Sequence, residues 1–255
     1  MENVPATLGL AFGLIAAATV WLFYRAAHYS RRTLMVLLAW LLLQAGVGLS
    51  GFYTSTAAIP PRLVLAVVPP LLLTTGLLGT TAGRAYLDRL HLGYLTLLHT
   101  VRLPVELVLL GLFHYGAVPR LMTFEGYNWD IFSGLSAPVV YLLAFYGKPF
   151  SSKALLRWNG LCLVLLINIV VRAVLSVPSP VQQLAFEQPN VAVLYFPFVW
   201  LPACVVPLVL VAHLAAIRQL MKKSSVDATG WVQAVRGART CSGSSSSSSL
   251  RTEGM

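Results

Sequence analysis

Seven apolar runs of 17 to 26 residues fill most of the first 216 positions and fix the class of fold. They lie at 4–24, 33–54, 63–82, 91–116, 131–147, 157–177 and 191–216, separated by short charged or turn-rich breaks. The hydrocarbon core of a bilayer is crossed by roughly 20 helical residues, so each run is long enough to span it, or nearly so. None alternates apolar and polar side chains as a barrel strand does, and a backbone in lipid must satisfy its own hydrogen bonds. The expected fold class is therefore all-α, a polytopic membrane protein of seven transmembrane helices. With 57% hydrophobic and only 10% charged residues, against about 25% charged in soluble domains, a water-soluble globule is excluded.

Lysine and arginine alternate between the breaks and set an expected orientation. Arg25, Arg31 and Arg32 follow the first run, Arg84 and Arg89 the third, Lys148, Lys153 and Arg157 the fifth, and Arg218, Lys222 and Lys223 the seventh. The other side carries only Arg62 and Arg120, so the basic count is 11 against 2. By the positive-inside rule the N-terminus lies outside and the C-terminus in the cytoplasm. These topological charges account for most of the net charge of +10, so no nucleic-acid partner is inferred; the expected partner is the lipid bilayer. Residues 1–223 form the transmembrane domain, and 224–255, almost all serine from Cys241 to Ser249, read as a disordered cytoplasmic tail. Met1 to Thr7 has no basic segment, so the first run is expected to be a retained span and not a cleaved signal. Cys162 and Cys204 fall within spans and Cys241 in the tail, which gives no external disulfide framework.

Ionisable groups inside a membrane are costly and mark candidate sites. The fourth run carries His99, Arg102 and Glu106 along one helix face, and the sixth carries Asn168 and Arg172 one turn apart. At about 1.5 Å per residue, Glu106 and Arg172 both sit roughly 22 Å from their helix starts, and Arg102 and Asn168 roughly 16 Å. Equal depth predicts two layers, Glu106 with Arg172 and Arg102 with Asn168. The plainer account is that such pairs only pin the bundle. Pro104, Pro69, Pro70, Pro138, Pro197, Pro202 and Pro207 interrupt the runs and favour kinks of the kind that line cavities.

No two histidines have the spacing that places a zinc pair on one helix face, and neither metal nor cofactor is expected. His91 and His213 fall near the inner ends of the fourth and seventh runs, where an interhelical pair is conceivable, while His99 alone is deep. The chain's only lysines are Lys148, Lys153, Lys222 and Lys223, so no buried amine is available for a retinal Schiff base. Arg84, Asp88 and Arg89 stand where a G-protein-coupled receptor would carry its DRY triplet.

Runs one to three and five to seven form two similar halves around the fourth, which resembles the three-plus-one-plus-three plan of SWEET-type sugar transporters without their Pro-Gln motif. The stretches HTVRLPVELVLLGLFHYGAVPRLMTFEGYNWD, from His99 to Asp130, and QPNVAVLYFPFVWLPACVVPLVLVAHLAAIRQL, from Gln188 to Leu220, resemble an uncharacterised family of bacterial seven-helix membrane proteins. That resemblance covers most of residues 1–220 and implies bacterial inner-membrane placement, but no activity. The expected function is to bind, transport or sense a small, anionic molecule in an outward-facing pocket between the fourth, sixth and seventh helices. His99, Arg102, Glu106, Asn168 and Arg172 supply its polar groups, and Tyr195 and Trp200 its wall. The alternative is a membrane-embedded enzyme or a subunit of a respiratory or assembly complex.

Overall fold

The computed structural model describes residues 1, 3–146 and 151–223. The serine-rich tail, with Cys241, and Gly147 and Lys148 lie outside the described residues. Among the described residues all regular structure is helical and there is no strand. In chain order the helices are α1 (Ala6–Ala26), α2 (Arg31–Leu49), α3 (Val64–Gly79), α4 (Thr81–Arg89), α5 (Leu92–His114), α6 (Ile131–Phe145), α7 (Ser152–Leu175) and α8 (Leu201–Lys223).

Five of these, α1, α2, α5, α7 and α8, are long and apolar enough to cross a bilayer. The helices α5 and α8 make the centre: 61% of the apolar window of each is buried, against 17% in α2 and 22% in α7. Around them the perimeter is apolar, with Leu10, Leu14, Leu42, Leu72, Leu161 and Val164 all exposed. Exposed apolar surface of this extent suits a hydrocarbon surround. The interior is mostly apolar, with Phe12, Ile15, Leu95, Leu112 and Val209 buried, and the buried charged side chains among the described residues are Arg102, Glu106 and Asp130.

The helix boundaries correct the expected runs in three places. The third run does not continue straight, because the chain turns by 94° between α3 and α4. Thr80 ends α3 in an extended conformation and caps α4, its hydroxyl accepting the Gly83 N–H at 3.1 Å. Gly83 is required there: a Cβ would lie 2.5 Å from the Leu77 Cα and carbonyl oxygen. The fifth run yields a helix of only 15 residues, which starts where the run does, at Ile131, and ends at Phe145 with Tyr146 as its C-cap. The seventh run begins ten residues late. Residues 191–200 are apolar but not an α-helix; they form a short 3₁₀ turn at Ala192–Leu194 and then a turn through Pro197 before α8 starts. Apolarity alone does not distinguish a buried irregular segment from a helix start, and Pro197 and Pro202 are both poor interior helix residues.

Proline also explains how α2 is tied to α8. Pro207 lacks the N–H that would serve the Ala203 carbonyl, and the helix opens into a π turn over Leu201–Val205. The Trp40 indole N–H on α2 donates to that Ala203 oxygen at 2.9 Å, and the Trp200 indole donates back to the Leu41 carbonyl at 3.0 Å. At the basic end, Asp88 on α4 accepts from Arg218 Nε at 2.8 Å and from Lys222 at 3.2 Å, and Gln219 caps the Leu87 and Leu90 carbonyls, so α4 is clamped against the end of α8.

Candidate functional site

The polar level in the middle of the bundle is organised by Arg102. Pro104 cannot donate to the Thr100 carbonyl one turn earlier, and the backbone tightens into a 3₁₀ turn at His99–Val101 just before Arg102. That local change points the guanidinium toward the N-terminus of α6. There Gly134 passes so close to α5 that a Cβ would lie 2.4 Å from the Leu103 nitrogen, which lets the two helices meet. Asp130 stands at the start of α6 without capping it; its carboxylate instead forms a two-pronged ion pair with Arg102, through Nε at 2.5 Å and through Nη2. Ser133 Oγ lies 3.4 Å from the same carboxylate.

The rest of the guanidinium is equally occupied. Nη2 donates to the Cys162 carbonyl of α7 at 3.2 Å, and Nη1 faces His213 Nε2 of α8 at 3.0 Å. A guanidinium only donates, so His213 accepts at Nε2 and carries its proton on Nδ1, which donates to Asn159 Oδ1 at 3.1 Å. Asn159 in turn donates to the Leu155 carbonyl at 3.0 Å. His99 stacks on His213 with ring centroids 3.9 Å apart and meets the edge of Trp158 at 5.6 Å. Both nitrogens of His99 lack a partner among the described residues.

Glu106 forms the second half of the level. Its Oε1 accepts from Asn128 Nδ2 at 2.5 Å; Asn128 also donates to the Met122 carbonyl and accepts the Asp130 N–H at 3.1 Å, so one loop residue joins the Glu106 carboxylate to the Asp130 backbone. The other oxygen, Oε2, is buried and has no partner among the described residues. Glu106 also borders a cavity of about 120 Å³ between α3, α5, α7 and α8, which is lined by Arg102, Glu106 and Asp130 and otherwise by apolar side chains.

These contacts correct the expected pairings. Arg102 meets Asp130 and His213 in place of Asn168, and Glu106 meets Asn128 in place of Arg172. Asn168 and Arg172 instead bond to each other at 3.1 Å and cover Tyr127: Asn168 donates to its carbonyl at 3.1 Å and Arg172 lies 4.7 Å from its ring centre. Tyr195 and Trp200 do not line the cavity; Trp200 reaches α2, and Tyr195 is over a third exposed. His91 pairs with neither His213 nor His99 but lies near His28 and Tyr94. Sequence reading leaves out Asn159, takes His213 only as a partner for His91, and takes Asn128 and Asp130 only as parts of the external loop 117–130 that caps the pocket. Among the described residues no group of three or more His, Cys, Asp or Glu side chains is arranged to hold a metal ion.

Residues 59–221, which include α3 to α7, all but the last two residues of α8 and every member of this network, match the model of a domain of unknown function (DUF8737). Neither the curated proteins nor the solved structures contain a match.

Proposed function

Because the chain belongs to the DUF8737 family, whose description assigns no activity, we propose a function from the site: a multi-pass membrane protein that binds a small molecule beside Glu106, for transport or sensing. The observation that carries it is that Glu106, which borders the cavity, has a buried carboxylate oxygen without a partner among the described residues. Buried polar atoms in native interiors are nearly always hydrogen-bonded, and an orphan beside free volume is the mark of a ligand group or ordered water to be accommodated. The reading differs from the expected anionic ligand in one respect. Arg102 is already neutralised by Asp130 and Arg172 is turned to Tyr127, so the cavity offers an anion no free cation.

The bent pair α3–α4 and the short helix α6 bring the five long helices to the seven crossings of this proposal. The 11-to-2 basic bias then supports an outside N-terminus and a cytoplasmic C-terminus, with residues 1–223 as the membrane domain and 224–255 as a tail, and the resemblance to a bacterial family supports an inner-membrane location. Reporter fusions after residues 58, 117 and 223 test this: the first two are expected to report an external position and the third a cytoplasmic one.

The binding reading is tested by native mass spectrometry of the full chain released gently from its own membrane, comparing wild type with Glu106→Leu at matched expression. A small molecule retained by the first and lost by at least tenfold from the second supports the proposal; identical spectra at equal stability overturn it. A second reading, an embedded enzyme or complex subunit, rests on His99, whose imidazole has no hydrogen-bond partner among the described residues. An absorption band that survives purification and disappears in His99→Leu would favour it.

A further inference from the structure

The cavity beside Glu106 is not sealed on all sides. Its deep walls are buried, Leu109 on α5 being 4% exposed and Val205 on α8 2%. Its lining residues on α3 and α7 reach the apolar perimeter, where Leu71 is 38% and Val174 48% exposed. The opening thus faces the side of the bundle, where the surround is hydrocarbon, and a molecule entering there comes from the bilayer. Resting on the binding reading above, we infer that the occupant is a single-chain amphiphile with an uncharged hydroxyl head, which enters between α3 and α7 and sets its hydroxyl against Glu106 Oε2.

Three observations select that head. The free volume of about 120 Å³ is close to that of the roughly 150 Å³ dry cavities that hold one benzene, so it admits a small head and a few carbons but no phosphodiester with two chains. Arg102 and Asp130 cancel one another, which removes the attraction that a phosphate or carboxylate head would need. The orphan oxygen belongs to a carboxyl group, which accepts only when ionised and also donates when protonated. A hydroxyl, both donor and acceptor, satisfies Glu106 in either state; an ammonium requires the ionised form and an anion the protonated one. The apolar chain then follows the aliphatic walls outward and remains in lipid.

The test uses the full chain in phosphatidylethanolamine and phosphatidylglycerol vesicles, with hexadecanol carrying a diazirine next to its hydroxyl end. Photolabelling is expected at Leu109 and Val205, which bulk lipid does not reach, and unlabelled hexadecanol is expected to compete at least tenfold better than palmitate or hexadecylamine. Glu106→Leu is expected to lower that labelling at least tenfold, and so is Val174→Trp, which narrows the opening and leaves Glu106 untouched. Glu106→Gln, whose amide both donates and accepts, is expected to hold it within about threefold. Labelling confined to perimeter positions such as Leu161, or better competition by the acid or the amine, overturns the inference. If the native ligand is still lost on Glu106→Leu in that case, the binding reading stands and only the entry route and head group fall.

Discussion

Arg102 and Arg172 each stand on a long helix with a polar neighbour on the same face, yet their surroundings differ in kind. The Arg102 side chain is 4% exposed and meets a carboxylate, an imidazole and a backbone carbonyl drawn from three other segments. Arg172 is half-buried near the end of α7 and is satisfied by an amide one turn away and a tyrosine face. Enclosure makes the difference: a charge removed from solvent needs a full counter-charge and every donor occupied, whereas one at the rim retains access to headgroups and water. The inner cluster therefore recruits distant parts of the chain, and the outer one needs only its neighbours.

Removing the inner counter-charge gives the largest expected effect. Asp130→Ala leaves Arg102 buried and unpaired, and should lower stability by about 3–5 kcal/mol in a denaturant titration of the micelle-bound protein. The Asp130→Ala, Arg102→Met double variant should recover much of that loss; if it does not, the pair is not a unit. Trp40→Phe tests whether the same rule governs backbone groups, because it strands the carbonyl that Pro207 cannot serve; about 1–3 kcal/mol is expected by the same titration. At the rim, Arg172→Gln should cost no more than about 1 kcal/mol, and a loss as large as that of Asp130→Ala would abolish the distinction between the two arginines.

The half-buried Asp88 clamp sharpens the scale at its lower end. The hydrogen bond from Arg218, then that from Lys222, hold its carboxyl below the usual range. A depressed value contributes stability that is complete above the ordinary carboxylate pKa of about 4 and is lost as pH falls through the folded-state value. Melting curves from pH 6 down to 3 should show that loss, within about 1 kcal/mol for so accessible a pair, and Arg218→Gln should flatten it.

The helices α1, α2, α5 and α7 are legible from apolar length alone, and so is the shared face of His99, Arg102 and Glu106. The partners of that face are not, for two separate reasons. His213 reads as interfacial when the last helix is placed at 191–216; with α8 at Leu201–Lys223 it moves to mid-helix, where it is fully buried. Ten apolar residues that fold as turns shift every depth estimate after them. Asp130 and Asn128 read only as parts of an external loop that caps the pocket, because spacing along a helix says which residues share a face but not which loop folds back to meet it. Equal depth for Arg172 and Glu106 is likewise a statement about height, and neighbouring helices present different sides at one height.

The short sequence distance within the inner pair has a consequence for how the chain is made. Asp130 follows Arg102 by 28 positions, whereas His213 follows it by 111. At synthesis rates of about 5–20 residues per second, the counter-charge leaves the ribosome about 1–6 s after the guanidinium, on the very next helix, while the imidazole emerges only when the last helix does. The guanidinium of Arg102 thus already has its counter-charge once the hairpin of α5 and α6 is made, and the later helices close around a paired charge.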